Sequence, residues 1–365
     1  MRSGAGTEHL AAIARGPRAA GSDGERAARE YAMDVLRTAG FDVATETFHY
    51  SALPGRRGTP LGSALALATV LASSWAFLEA SSPRTAAGIL ATGLVLLVIA
   101  ARRMLGDGVL TIPLMRASGV NVVARRPSDD SPRVWLVAHV DSKSQPVPSA
   151  LRVAGIVLLA LGIAAAIVAA ALTLGGAPPR TLWWIAATLA TGGAIPAMLS
   201  VVGNDSDGAV DNASGVAAVL AAAQSLSAEA RVGVLLPSAE ELGLAGARAW
   251  VRGWHAETGI ALNCDGVDDD GALTIMYTGR RPDALVRALE NAAERTPRVR
   301  RMPLGLLTDS VAFADAGWQT ATVSRGSLRT LRRVHTRRDS LANLRGDGIA
   351  EVSALLAKSA EALAR

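Results

Sequence analysis

Residues 232–246 read VGVLLPSAEELGLAG, and this stretch indicates the fold class. The run 232–236 is short and apolar, as the buried strands of a mostly parallel sheet are. It continues through Pro237 directly into Glu240 and Glu241. In an open α/β sheet, groups that bind ligands collect at the carboxyl ends of the strands. The stretch therefore predicts a sheet with a polar site along one edge.

The rest of the polar sequence alternates between strand and helix patterns. Apolar or alternating runs predict further strands at 41–48, 121–124, 134–138 and 261–263. Amphipathic or apolar helical patterns cover 23–39, 215–226 and 282–295, with Gly40 placed as a C-cap behind the first of them. We therefore expect a three-layer α/β/α domain with a mixed, mostly parallel sheet.

Four apolar blocks interrupt this pattern, at 61–78, 86–101, 153–174 and 182–202. Each is close to the ~20 residues that a helix needs to cross the hydrocarbon layer. Buried core helices of a soluble fold are the alternative, but the blocks carry essentially no internal charge. We predict four transmembrane helices, inserted as two hairpins at 59–103 and 151–202.

A hairpin returns the chain to the side of the membrane that it left. Segments 1–58, 104–150 and 203–365 can therefore form one catalytic domain on one face. Arginines near the crossings are more frequent on that face than on the hairpin tips: Arg56, Arg57, Arg102, Arg103 and Arg152 against Arg84 and Arg180. The positive-inside rule then predicts an integral protein of a bacterial-type inner membrane with a cytoplasmic domain.

The net charge of +5 does not indicate a nucleic-acid partner, because no basic stripe is interleaved with aromatic residues. Most of the basic charge is arginine, which suits a membrane surface. The single cysteine, Cys264, excludes an internal disulfide and fits a reducing compartment.

Acidic residues and histidines follow the predicted strands or lie in polar loops. Each has an ordinary explanation when taken alone: a histidine beside an acid is often a surface pair, and an acid before a helix is often its cap. His9, His49 and His255 lack such settings, and we interpret them as structural or surface residues. The candidates are His139, Asp141, Asp211, Glu240, Glu241, Asp265 and His335.

Taken together, two imidazoles and three carboxylates suit a pair of divalent ions, zinc most readily. A carboxylate such as Asp141 can fix the tautomer and orientation of a ligand histidine such as His139. In an adjacent pair such as Glu240 and Glu241, one carboxylate can bind metal while the other takes a proton from water.

The order of these motifs resembles the M28 family of zinc aminopeptidases. It runs His-x-Asp, Asp-Asn-x-Ser-Gly, Glu-Glu-x-Gly-x-x-Gly, Asp, and His-Thr-x-x-Asp. Segment 7–50, with its Pro-Arg-Ala-Ala-Gly-Ser at 17–22, and segment 308–313 before Gly317 resemble the family as well. The resemblance covers nearly all of the chain outside the apolar blocks.

The resemblance implies a role for each matching residue. His139 and Asp265 would bind one zinc ion, Glu241 and His335 the other, and Asp211 would bridge the two. Asp141 would orient His139, and Glu240 would be the general base that activates the water and then protonates the leaving amine. The peptide bond between Asp211 and Asn212 is expected to be cis. Two positions depart from the family: Val334 stands where a tyrosine often stabilises the oxyanion, and Ser310 stands where histidine is common.

The expected function is that of a membrane-bound zinc metallopeptidase. By the resemblance it is an aminopeptidase with two Zn²⁺ ions per chain, which hydrolyses N-terminal peptide bonds through a water held between the metals. Its expected partners are a peptide or peptide-like amide and the lipid bilayer; the sequence specifies no oligomeric state. Two alternatives keep the fold: a glutaminyl cyclase-like zinc acyltransferase that uses one zinc ion, and a non-catalytic membrane scaffold.

Overall fold

The structure is a computed structural model, and it describes residues 6–106, 108–127, 131–254, 258–303 and 305–365. His255 lies outside the described residues. The chain divides into two compact units. The first, which we call the α/β unit, comprises Met1–Ala52, Val109–Ser144 and Gly203–Arg365, and the second, the helical unit, comprises Leu53–Gly108 and Gln145–Val202.

The α/β unit is built on an eight-stranded sheet with the order β1-β2-β4-β3-β5-β8-β6-β7. Its strands are β1 (Asp42–Ser51), β2 (Arg116–Arg125), β3 (Val134–Val137), β4 (Val232–Leu236), β5 (Ile260–Val267), β6 (Ala272–Tyr277), β7 (Arg298–Arg301) and β8 (Gln319–Gly326). The four central strands are parallel, whereas β1, β2 and β6 make antiparallel pairs. The sheet is therefore mixed and mostly parallel, as the sequence predicts.

The described residues form thirteen α-helices. They are α1 (Thr7–Ile13), α2 (Asp23–Thr38), α3 (Leu53–Leu78), α4 (Pro83–Met104), α5 (Gly108–Thr111), α6 (Ser149–Leu174), α7 (Arg180–Met198), α8 (Gly215–Ser225), α9 (Ala245–Gly253), α10 (Asp283–Ala292), α11 (Asp309–Asp315), α12 (Leu328–Arg333) and α13 (Ile349–Ala364).

The central strands alternate between two apolar layers, because successive side chains of a strand point to opposite faces. Val134 and Leu136 of β3 pack in the larger core with residues of α2, α8 and α13. Trp135 and Val137 pack on the other face with residues of α9 and α11. This arrangement gives the α/β unit the three layers that the sequence predicts.

The helical unit contains α3, α4, α6 and α7. Glycines allow α6 and α7 to approach closely, since a Cβ on Gly193 would lie 2.4 Å from the backbone nitrogen of Leu159. The unit has its own apolar core, in which Trp183 is fully buried and donates a hydrogen bond to the hydroxyl of Thr173 at 3.2 Å.

Three helices among the described residues are long and apolar enough to cross a membrane: α3, α4 and α6. The prediction of four transmembrane helices is therefore not supported. The fourth block does form a helix, α7, but it is not one of the three. Threonines, glycines and Pro196 lower its hydropathy, and its alanine-rich side is buried within the helical unit.

Candidate metal centre

The site lies at the carboxyl ends of the central parallel strands. β3 ends two residues before His139, and β4 leads into Glu240 and Glu241. Asp265 lies inside β5, beyond Cys264, where the register with β8 is interrupted. His335 follows α12 and has a positive φ of 65°.

Asp211 is presented by a kinked turn, Ala209–Ser214, that precedes α8. The peptide bond between Asp211 and Asn212 is cis, as the resemblance implies. The Asn212 side chain fastens this turn to β5, because its amide donates to the carbonyl of Cys264 and its oxygen accepts from the backbone of Gly266. A Cβ on Gly215 would lie 2.0 Å from that oxygen, so only glycine fits there.

The structure brings the five predicted ligands together as two overlapping groups. His139, Asp211 and Asp265 form one group, and Asp211, Glu241 and His335 form the other. Within each group, one donor atom per residue lies within 4.8 Å of the others. Asp211 is the member that they share.

The two oxygens of Asp211 face different histidines. Oδ1 lies 3.2 Å from Nε2 of His139, and Oδ2 lies 2.8 Å from Nε2 of His335. Asp265 Oδ1 lies 3.9 Å from His139 Nε2, and Glu241 Oε1 lies 3.3 Å from His335 Nε2. Two ligands at 2.0–2.2 Å from one tetrahedral zinc ion are about 3.4 Å apart, so these separations fit zinc binding.

Two buried polar atoms of the candidate ligands have no hydrogen-bond partner within the part of the chain that the structure describes. They are Nε2 of His139 and Oε1 of Glu241, and both point into the two groups. A buried polar atom without a partner is costly, and a metal bond would satisfy it. This chemistry and the donor set of imidazoles and carboxylates fit zinc.

The surroundings of the site are rich in negative charge. Burial raises the pKa of the Glu240 carboxyl well above its usual value, and the charges of Glu241 and Asp309 add to this against the effect of His139. For Asp211, the contacts with His139 and His335 outweigh burial and hold the pKa well below its usual value. Such a concentration of buried carboxyl groups favours a bound cation.

Asp141 is fully buried and makes contacts that differ in detail from the predicted one. Its backbone carbonyl, rather than its carboxylate, accepts the hydrogen bond from Nδ1 of His139, at 3.0 Å. The nearer carboxylate oxygen is 3.6 Å from that nitrogen. The carboxylate instead accepts from the backbone N–H groups of Glu240 and Glu241, at 3.1 and 3.2 Å. Asp141 therefore links the His139 loop to the glutamate turn.

Lys143 is a functional candidate that the sequence patterns did not indicate. Its ammonium group forms an ion pair with Oε2 of Glu241, while Oε1 of the same carboxylate faces His335. Lys143 thus holds one oxygen of Glu241 and leaves the other directed into the site. The one feature of the sequence that could have drawn attention to Lys143 is its position two residues after Asp141.

Arg18 and Asp339 position the loops that carry the ligands. The buried Arg18 guanidinium donates to the carbonyls of Val140 and Gly208, each at 3.0 Å, and burial lowers its pKa to about 10. The Asp339 carboxylate accepts from the backbone N–H groups of Val210 and Asp211. Arg18 lies in the segment that resembles the M28 opening, and Asp339 ends the His-Thr-x-x-Asp motif.

Two further residues complete the polar surroundings. Asp309 is fully buried, and neither of its carboxylate oxygens has a hydrogen-bond partner among the described residues. Burial, reinforced by the charges of Asp141 and Asp265 and opposed by His139, raises its pKa to about 8. Ser310, which replaces the family's histidine, hydrogen-bonds the hydroxyls of Thr308 and Thr322 at 2.8 Å.

Of the other histidines, His9 is buried between Tyr31 and Gln224, at 2.7 and 3.0 Å, and His49 contacts Ser118 on the exposed face of β1. Both lie outside the two ligand groups, as expected.

Comparisons with known proteins agree with the geometry. Residues 195–360 match the sequence profile of Peptidase family M28. No curated protein matches the chain. The fold is similar to that of an aminopeptidase from Aneurinibacillus sp. strain AM-1, with a TM-score of 0.58 and 14% identity over 100% of this chain and 95% of that one.

Two other solved structures show the same fold. The zinc aminopeptidase BSAP from Bacillus subtilis has a TM-score of 0.54 and 14% identity, over 97% of this chain and 93% of that one. The glutaminyl cyclase of Porphyromonas gingivalis has a TM-score of 0.56 and 14% identity, over 99% of both chains.

These matches and the donor set define the class of the protein as a zinc metallopeptidase, and hence a hydrolase. The segment that matches Peptidase family M28 contains four of the five candidate ligands, all except His139.

Proposed function

We propose that the chain is a zinc aminopeptidase that is anchored in a membrane and binds two zinc ions. The position of Asp211 carries this proposal, since its two carboxylate oxygens face His139 and His335 separately, at 3.2 and 2.8 Å. A carboxylate that is shared in this way suits a bridge between two ions.

In this proposal, His139 and Asp265 would hold one ion, Glu241 and His335 would hold the second, and Asp211, which belongs to both groups, would be shared. Zinc supplies polarisation of the scissile carbonyl and a lowered pKa for a water molecule. The separations between the donor atoms and the resemblance to M28 aminopeptidases support two zinc ions and these residue roles.

Glu240 has the position of a general base. Its Oε2 atom lies 3.9 Å from Nε2 of His139, so its carboxylate borders the first ligand group. The residue accepts a proton from the attacking water and returns it to the amine that leaves. The carboxylate of Asp141 accepts a hydrogen bond from the backbone N–H of Glu240, and this contact helps to position Glu240 for the proton transfer.

Membrane attachment is supported by α3, α4 and α6, which are long and apolar enough to span a bilayer. Exposed apolar side chains are frequent on these helices, for example Val95, Ile99 and Leu161. The arginine distribution along the sequence supports a cytoplasmic position for the α/β unit. The lipid bilayer is then a permanent partner, and the substrate is a peptide with a free N-terminus.

The glutaminyl cyclase reaction is the second candidate, because a glutaminyl cyclase is among the similar folds at a comparable TM-score. The two reactions differ in product. An aminopeptidase releases a free amino acid, whereas cyclisation of an N-terminal glutamine releases ammonia. The complete set of five ligands favours the peptidase.

The proposal is tested on full-length protein that has been purified in detergent, by zinc content per chain and by hydrolysis of aminoacyl anilides. Glu240→Gln keeps the size of the side chain and removes the base. We expect this variant to retain about two zinc ions and to lose roughly 10²–10⁴-fold in turnover. Glu46→Gln is the matched control, since Glu46 is exposed on β1.

No bound zinc and no hydrolysis under zinc-replete conditions would instead favour a non-catalytic scaffold. Ammonia release from a peptide with N-terminal glutamine, without release of amino acids, would favour the cyclase.

A further inference from the structure

Exposed leucines and arginines precede and follow the candidate ligand His335 along the chain. These residues lie within 328–341, and we call them the basic–apolar strip. Leu328 is 76% exposed and Leu331 is 53% exposed, which is high for leucines in a folded unit. The strip comprises Leu328, Arg329, Leu331, Arg332, Arg337, Arg338 and Leu341.

Contacts on the inner side of α12 leave its leucines exposed. The buried Thr330 hydroxyl donates to Asp268 at 2.6 Å, and the Arg333 guanidinium donates to the same carboxylate at 2.8 Å. Ser327 caps the helix in a capping box with Thr330. Because Thr330 and Arg333 hold one side of the helix against Asp268, Leu328 and Leu331 remain on the other side.

The strip has an excess of positive charge. Within the described residues, the side chains of Arg329, Arg332 and Arg338 make no hydrogen bond or ion pair, while Arg337 contacts Asp205 at 3.4 Å. Asp339 is the acid of this segment, and it is fully buried. Exposed leucines flanked by arginines are typical of surfaces that bind anionic lipid headgroups.

The second insertion leaves and re-enters the α/β unit close to a residue of the basic–apolar strip. Gly203, the first residue after the second insertion, pairs with Ser144, the last residue before it. The Ser144 hydroxyl accepts from the backbone of Asp205, which contacts Arg337.

The first insertion leaves from the same edge of the sheet. Ser51 pairs with Arg116 at the end of the β1–β2 ladder, and this end extends beyond the carboxyl end of β4, where Leu236 pairs with Val122. The chain connections to the helices and the candidate metal centre therefore share one edge of the sheet.

We propose that the basic–apolar strip docks on the anionic headgroups of the membrane in which the helices are inserted. The inference rests on the proposed membrane attachment and deepens the proposed function. Docking would place the metal centre close to the lipid surface, because His335 lies between Arg332 and Arg337 of the strip in the chain. The substrates are then peptides whose N-termini are presented at the bilayer surface.

A fluorescent probe on a new cysteine tests the docking. Cys264 is buried, so a cysteine introduced by Leu328→Cys is labelled selectively. The labelled full-length chain is placed in nanodiscs that contain brominated lipids, which quench at contact. We expect quenching of the Leu328→Cys probe in anionic discs, weaker quenching in zwitterionic discs, and none for a probe on Arg298→Cys of β7.

A probe on Leu161→Cys in α6 separates the two possible failures. Quenching at this position but not at Leu328→Cys would overturn the docking and leave the membrane attachment standing. Absence of quenching at both positions would overturn both. Equal quenching of the Leu328→Cys probe in anionic and zwitterionic discs would overturn the role of the arginines.

Paired charge variants test the partner chemistry. Arg329→Gln with Arg332→Gln removes two arginines of the strip, and Arg298→Gln with Arg301→Gln removes two exposed arginines of β7 as a control. With the probe on Leu328→Cys, we expect the first pair to lose about fivefold in headgroup affinity per arginine and the control pair to lose nothing. Equal losses from both pairs would indicate a non-specific effect of net charge and would overturn the proposal.

Discussion

Asp141 joins two parts of the metal centre through different atoms. Its backbone carbonyl contacts His139, and its carboxylate accepts from the backbone of Glu240 and Glu241. A substitution of the side chain therefore leaves the hydrogen bond from His139 in place and removes contacts to the glutamate turn. A variant of Asp141 therefore tests how much these two hydrogen bonds to the glutamate turn contribute to the site.

We expect Asp141→Asn to lower zinc affinity and turnover roughly 10–100-fold, as the loss of contacts that orient ligands commonly does. An amide has one accepting oxygen, so one of the two N–H groups of the turn loses its partner. Zinc titration against a competing chelator measures the affinity, and anilide hydrolysis measures the turnover. Asp42→Asn, at an exposed position on β1, is the control, and an equal response of the two variants would contradict this role for Asp141.

The five candidate ligands could be selected from the sequence because each lies at a strand end or in a loop motif. Arg18, Lys143 and Asp309 could not be selected in that way. Arg18 contacts the loops of Val140 and Gly208, which are more than 120 residues away in the chain, and no local pattern records such contacts. Nor does the sequence indicate that the backbone carbonyl of Asp141, rather than its carboxylate, accepts the hydrogen bond from His139.

At the level of single elements, the start of α2 contains a buried acid. Ser22 caps the helix by accepting from the backbone of Glu25, and the Glu25 carboxylate accepts from the backbone of Gly21 at 2.7 Å. Its other oxygen accepts from the hydroxyl of Ser238, in the loop after β4. Burial, reinforced by the charge of Asp141, raises the pKa of Glu25 to about 7.

A raised pKa of an acid in the folded state lowers stability as the pH rises. Glu25 binds its proton more tightly in the folded than in the unfolded chain, so its contribution is favourable below about pH 4.5 and is lost between about pH 4.5 and 7. We expect Glu25→Gln to remove this loss, so that the free energy of unfolding above pH 7 increases by up to about 3 kcal/mol.

Thermal unfolding in detergent between pH 5 and 8 measures this effect. The difference in unfolding temperature between Glu25→Gln and the original chain should increase with pH and level off above about pH 7. Glu30→Gln, at an exposed position on the same helix, is the control. A pH-independent difference for Glu25→Gln would contradict the burial of an ionisable group at this position.

Elements with a strong hydrophobic pattern were the most predictable. The strand at 232–236 is observed with the predicted limits, and α2 differs from the prediction by one residue. β7 was missed because Arg298–Arg301 carries three arginines on an edge strand, where solvent can face both sides. The fourth apolar block was assigned to the membrane by its length, although its small residues serve packing within the helical unit.

For the whole molecule, the two insertions make the sidedness of the membrane testable. The α/β unit receives the chain at Val109 and Gly203 after each helical hairpin, and the hairpin tips contain Arg84 and Arg180. The proposed orientation places the tips outside and the α/β unit inside. The arginine counts support this orientation, and chemical labelling from outside the cell measures it directly.

We expect a membrane-impermeant maleimide to label Ala177→Cys on the second tip in intact cells. Glu46→Cys, on the exposed face of β1, should react only after lysis. The buried Cys264 gives little background in either case. The opposite pattern of labelling would place the α/β unit outside the cytoplasm.

The insertion of the second hairpin between His139 and Asp211 also determines the order in which the candidate ligands are synthesised. Of the five candidate ligands, only His139 precedes residue 203. A nascent chain that has emerged up to α7 can therefore offer one ligand, and the remaining four arrive after all the apolar helices have been synthesised. In the proposed membrane-anchored enzyme, the metal site is therefore completed only after the helices that would anchor it have been synthesised.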